Sequence, residues 1–193
     1  MATDSSVAGY LNPSTAAPYD DALDDFLHGV IVGLTGLPGS LVRPRWQAEP
    51  LQRPEFNVNW CSFGFVRAEV DAFAYEHNHS EGEGPVIVER DEILNYAHSF
   101  YGPNAHGLAE RFRDGLEIPQ NRDVLQSGDI GLVEVQEAVK VPSLMAERWV
   151  PKIDVTVLYR RRTSRSYPVL TIRSAGIEIV TPDGSTPISV TQP

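Results

Sequence analysis

The chain has 193 residues, 41% of them hydrophobic and 9% aromatic, so one domain with extensions can build a core without a metal or disulfide staple. A formal net charge of −10 argues against a dedicated nucleic-acid binder, whose affinity would come from Lys and Arg neutralising phosphates. The single cysteine, Cys61, excludes an intramolecular disulfide and a thiolate metal cluster, and its apolar run Trp60-Cys61-Ser62-Phe63-Gly64-Phe65 makes it a buried small hydrophobe rather than a nucleophile.

Residues 1–17 are small and polar and read as an N-terminal arm, with neither the basic region nor the apolar stretch of a signal peptide. From Pro18 to Leu34 the apolar residues Tyr19, Leu23, Phe26, Leu27, Val30, Ile31 and Leu34 recur at three- and four-residue steps, which predicts a helix with one apolar stripe. Asp20, Asp21, Asp24 and Asp25 crowd its N-terminal half, where the helix dipole favours negative charge, and Gly36, Pro38 and Gly39 end it. Its run Val30-Ile31-Val32-Gly33-Leu34 falls far short of the ~18 residues of a membrane span, so a soluble protein of a reducing cytoplasm is expected.

A short strand over 40–46 precedes a loop marked by Pro44, Pro50 and Pro54. Trp60 to Tyr75 alternates with period two: Gly64, Val66, Ala68, Val70, Ala72 and Ala74 share one face, and Arg67, Glu69 and Asp71 the other. That pattern predicts a long half-buried strand. A polar turn from Asn78 to Gly84 joins it to a second strand, Pro85 to about Phe100, whose imperfect alternation suggests a bulge or a tip exposed on both faces. The two make a long hairpin at 60–100.

Pro103 and Asn104 open a second helix carrying Leu108, Phe112 and Leu116; Pro119 breaks it, and a turn from Gln120 to Gln126 follows. Strands are then predicted over Ile130–Val141, Trp149–Arg161, Tyr167–Arg173 and Ile177–Thr181, with Asp183-Gly184 as a turn. In the second of these, Trp149, Ile153, Val155, Val157 and Tyr159 share a face. The grouping of helix, strands, helix and strands points to α+β: a largely antiparallel sheet with two main helices packed on one face. A single domain spans 18–182, and 183–193 is a C-terminal tail. Strands this long overhang a small core, and an overhanging edge is a template for pairing with another chain. An oligomer is expected.

The chemistry-bearing residue types give little. His77 and His79, beside Glu76, Glu81 and Glu83, form the one cluster with metal-ligand chemistry, which keeps a small metal-dependent hydrolase open; the polar tip carries no third ligand at a recognisable spacing. His28, His98 and His106 are accounted for by packing or capping. Gly33 to Gly39 ends a helix rather than beginning one, so it cannot aim a helix N-terminus at a phosphate. Asp91 and Glu92 point to opposite faces of a strand and cannot act as an acid/base pair. No catalytic residue, metal ligand or cofactor is assigned. The concentrated charge feature is Arg160-Arg161-Arg162 with Arg165 and Arg173, which suits a solvated tip, a contact with an acidic neighbouring subunit, or DNA.

Several strings resemble one family in order and spacing. Gly33-Leu34-Thr35-Gly36-Leu37-Pro38-Gly39 with Leu41-Val42-Arg43-Pro44-Arg45-Trp46-Gln47 is similar to the N-terminal signature of the neck terminator, or tail terminator, proteins of contractile-tailed phages and prophages. Tyr101-Gly102-Pro103-Asn104-Ala105 followed by Ile118-Pro119-Gln120-Asn121-Arg122 resembles its central signature. Val141-Pro142, Trp149 and Arg165-Ser166-Tyr167-Pro168-Val169-Leu170 resemble its last. The resemblance implies a virion structural subunit without catalytic residues. It implies a homo-oligomeric ring, six-fold, at the head-proximal end of the tail. That ring would meet tail tube and sheath proteins on one side and neck or connector proteins on the other, while genomic DNA passes through the lumen unbound. Another neck ring (connector, collar or gateway) or a tail-tube subunit is the alternative. The subunit or partner interface is expected at the hairpin tip, Asn78, His79, Glu81 and Glu83, and at Arg160, Arg161, Arg162 and Arg165.

Overall fold

The computed structural model describes residues 4–15, 18–47, 53–77, 84–145, 147–170, 174–181 and 184–191. The chain divides into two compact units, one made of 17–73 and 90–163, the other of 1–16, 74–89 and 164–193.

In the larger unit the first helix, α1, runs Asp21–Thr35. It begins three residues later than the apolar stripe suggested, because Asp20 sits at φ 50°, outside the helical region, and its carbonyl accepts the first backbone bonds from Leu23 and Asp24. Gly36, at φ 72°, closes the helix in the left-handed conformation that glycine adopts without strain, its N–H donating to the Val32 carbonyl. After a 3-10 turn at Gly39–Leu41, β1 (Val42–Pro44) pairs in parallel with β2 (Trp60–Val70). The predicted hairpin follows: β2 lies antiparallel to β4 (Val86–Tyr101), Trp60 opposite Tyr101 and Val70 opposite Glu92.

Here the structure corrects the sequence reading. The first hairpin strand stops at Val70 rather than Tyr75, and the irregularity lies in it, between Phe65 and Arg67, not in its partner. The bulge lets Phe65 and Arg67 flank one extra residue, Val66, so the regular alternation expected through 64–74 is broken. Residues 65–70 are exposed on both faces, whereas β4 alternates only over 91–98, with Glu92, Leu94, Tyr96 and His98 buried. On either side of that stretch its alternation is imperfect, as the sequence suggested, since 86–91 are half-buried throughout and His98, Ser99 and Phe100 are buried in succession.

Next come α2 (Ala105–Glu117) and α3 (Pro119–Gln126), so there are three helices among the described residues instead of two. The segment read as a turn is helical because Pro119 occupies the first helical position, where a missing N–H costs nothing. Where one strand was expected over 130–141, β5 (Ile130–Val135) and β6 (Val139–Lys140) are separate, and β5 is bulged between Leu132 and Glu134. The short strands β7 (Ser143–Met145) and β8 (Arg148–Val150) pair with each other, and Trp149, expected on a buried face, is exposed. Strand β9 (Lys152–Tyr167) is longer than predicted; within this unit it buries Ile153, Val155, Val157 and Tyr159 as the alternation required. The sheet order is β1-β2-β4-β9-β5, largely antiparallel, as α+β required.

The helices pack on the face carrying these buried side chains. Phe112 of α2 lies 4.8 Å from the His98 ring and 5.5 Å from Phe100, and Leu27 and Ile31 of α1 are nearly fully buried in the same core. Gly102, at φ 103°, passes so close to the neighbouring chain that a Cβ there would meet the Val58 carbonyl at 2.5 Å.

In the smaller unit β3 (Tyr75–His77) pairs with residues 87–89 of β4. Residues of the expected arm are bonded to the end of β9: Ser14 N–H donates to the Ser166 carbonyl at 2.8 Å and Ser5 N–H to the Pro168 carbonyl at 3.1 Å. No strand continues through 168–170, and 171–173 lie outside the described residues. In place of a tail, β11 (Gly184–Thr191) pairs antiparallel with β10 (Ser174–Thr181). No described helix is long and apolar enough to cross a membrane.

Candidate functional site

Of the residues assigned to an interface, Asn78, His79, Glu81 and Glu83 lie outside the described residues. His77 ends β3 with its ring 5.3 Å from that of Tyr75. Among the described residues no group of three or more His, Cys, Asp or Glu could hold a metal ion.

The arginines are sorted by the strand they sit on. Period two sends Arg160 and Arg162 to one face of β9 and Arg161 to the other. On the outer face both neighbours hold Asp91 of β4: Arg162 donates two hydrogen bonds to its oxygens at 3.1 and 3.0 Å, and Arg160 donates one at 3.2 Å. The hydrogen bond from Arg162, with that from Arg160, keeps the Asp91 carboxyl below the usual range. On the helix side Arg161 is only 4% exposed, donates to the Glu92 carboxylate and the Pro18 carbonyl, and lies 4.4 Å from the Tyr19 ring centre. The structure therefore moves Arg161 from the expected surface cluster into a buried ion pair. Arg165 belongs to the smaller unit and is half-buried.

Two buried reactive groups are disarmed. Burial pushes the Cys61 thiol far above its ordinary range, so no thiolate forms there at neutral pH. Burial pushes His98 down to about 3, and its ring packs among Phe63, Tyr96, Phe112 and Tyr159 as a neutral core residue.

The sequence points to the 60–100 hairpin as a contact with a neighbouring subunit; what sequence reasoning missed is that the outer half of β2, read as half-buried, is uncovered. Its inner residues Cys61, Ser62 and Phe63 are covered by β1, and the Phe65 carbonyl accepts a hydrogen bond from the Trp46 indole at 3.2 Å. Beyond that point no strand among the described residues pairs with its outer edge. The edge carries Val66, 55% exposed, and Val70, 44% exposed, and Phe73 just past its end is 89% exposed. Unpaired backbone flanked by open apolar side chains is what a strand from another chain requires. The sequence held one signal: Phe65-Val66, two large apolar neighbours inside an alternating run, where unbroken alternation would send Phe65 to the polar face of Arg67, Glu69 and Asp71.

A family model described as phage neck terminator protein matches residues 20–184, most of the chain. No curated protein matches the sequence.

Proposed function

The chain belongs to the phage neck terminator protein family, a family of structural proteins, and from that premise we propose that it closes the head-proximal end of the tail as a ring of six copies. In this reading the ring ends growth of the tube and sheath of a contractile tail and offers its other face to the neck or connector proteins, joining tail to head.

The observation that carries the reading is the open edge of β2. A closed ring needs a heterologous contact, in which one surface of each subunit meets a different surface of the next. An edge strand exposing Val66 and Val70 supplies a surface with a direction, because backbone pairing fixes the angle between the chains. Arg160, more than half exposed while bound to Asp91, keeps hydrogen-bonding capacity for an acidic neighbour. Arg161 is buried, and Arg162, Arg165 and the polar residues Asn78, His79, Glu81 and Glu83 are proposed as further partner contacts on their charge and polarity alone. Assembly needs no catalytic group.

The test is the mass of the purified protein, measured in its native state, together with its place in the particle. Six copies in a closed ring at the junction of capsid and tail are expected. Twelve-fold symmetry would assign it to a connector instead. A strictly monomeric protein at micromolar concentration, or a position away from that junction, would end the proposal.

A further inference from the structure

Within the larger unit, the N-terminal end of α1 and strands β2, β4 and β9 enclose a pocket of 320 Å³. Its rim is exposed and aromatic, formed by Trp46, Phe65 and Tyr19, while its floor is buried and holds the Glu92–Arg161 ion pair and Tyr96. Three carboxylates of the helix terminus, Asp20, Asp21 and Asp24, line one side. With Glu92 and Arg161 these give a net charge of −3 when ionised, counting four carboxylates against one guanidinium. An acidic helix terminus by itself answers to the helix dipole.

Nη2 of Arg161 is buried and has no hydrogen-bond partner, although the side chain is only 4% exposed and lines the pocket. A buried guanidinium N–H without an acceptor is costly, so an acceptor oxygen entering the pocket would be stabilised there. Asp24 has the matching need. Burial, reinforced by Asp21, Asp25 and Asp20 and opposed by the 3.0 Å hydrogen bond from Tyr96, holds its carboxyl above the usual range, and an entering cation would relieve that.

We propose that this pocket receives an arginine or lysine side chain of a partner polypeptide, with the partner's backbone carbonyl accepting from Arg161 Nη2 and the cation lying between the Asp21 and Asp24 carboxylates and the rings of Trp46 and Phe65. A cation over an aromatic face and beside carboxylates is bound by both at once. The volume suits this occupant: at the low end of ligand pockets, it admits one long side chain with its peptide group. The partner is basic at the contact, which complements a chain of net charge −10. The inference is independent of the ring, since it concerns what this pocket binds and not how many copies assemble.

The experiment titrates N-acetyl-arginine methylamide into the full chain and follows the indole N–H signal of Trp46 by NMR. N-acetyl-norleucine methylamide and free guanidinium ion serve as comparison probes. Saturable movement of the Trp46 signal is expected, with at least tenfold weaker binding of both comparison probes. Asp21→Asn/Asp24→Asn and, separately, Trp46→Ala should each weaken the arginine compound at least tenfold. Trp46 is exposed, so its replacement tests the pocket without disturbing the core, and a thermal melt of each variant verifies folding; Arg161 is left intact because losing it strands a buried carboxylate. Equal binding of the norleucine compound would overturn the cation, and equal binding of guanidinium alone would overturn the peptide-borne occupant. Affinity unchanged within twofold in both variants would remove the site.

Discussion

At the scale of single residues, burial decides which charges and nucleophiles remain usable. His98 is the sharpest case. Held in an aromatic cage, it refuses a proton until about pH 3, whereas in the unfolded chain it accepts one near 6.5. Its folded value is depressed, so its contribution is intact above about pH 6.5 and declines as pH falls below that. Urea unfolding should therefore lose about 1.4 kcal/mol of stability for each pH unit between about 6.5 and 4 from this residue. The His98→Phe variant, with a ring of similar size, should show a shallower decline by that amount. An identical pH profile in both would mean that His98 is already accessible to protons in the folded protein. The Asp91 carboxyl behaves in the opposite sense, held down by its arginines, but it lies at the surface, where such pairs contribute little to stability.

At the scale of elements, the sheet is well covered at one end of β2 and open at the other. β1 and the chain through Arg45 and Trp46 lie against the inner half: the Arg45 N–H donates to the Phe63 carbonyl at 2.7 Å, and a Cβ on Gly64 would come within 3.2 Å of the Arg45 side chain. Past the bulge nothing among the described residues replaces that cover. If the outer half exists to pair with another chain, charge there should act on assembly alone. Val66→Lys/Val70→Lys places lysines on an edge that is already solvated, so monomer stability should change by no more than about 0.5 kcal/mol per site. The oligomer, followed by analytical ultracentrifugation, should dissociate at protein concentrations at least tenfold higher than the unsubstituted chain. Retention of the same oligomer would show that the ring closes through other surfaces.

At the scale of the whole molecule, the net charge of −10 bears on the cargo of the proposed ring. A channel through which DNA passes should not hold it, and an acidic subunit repels phosphate at distances up to a Debye length, about 10 Å at 0.1 M salt. Assembled protein should therefore fail to retain duplex DNA in a gel-shift assay at low salt, where any electrostatic attraction would be strongest. Binding that weakens steeply with added salt would instead point to a basic lumen.

Much of this was legible before folding. Apolar spacing placed α1, α2 and the buried face of β9, because residues such as Leu27, Phe112 and Val157 must leave water wherever the chain goes. The α+β class, the long hairpin and the family resemblance were equally carried by local pattern. What required tertiary structure was the fate of residues whose surroundings come from elsewhere in the chain. Arg161 reads as one of three equal arginines until β4 brings Glu92 beneath it. Val66 and Val70 read as a core face until the bulge and the short reach of β1 leave them uncovered. Periodicity reports which side chains share a face; only the partners brought to that face decide whether it is buried, paired or left open for another chain.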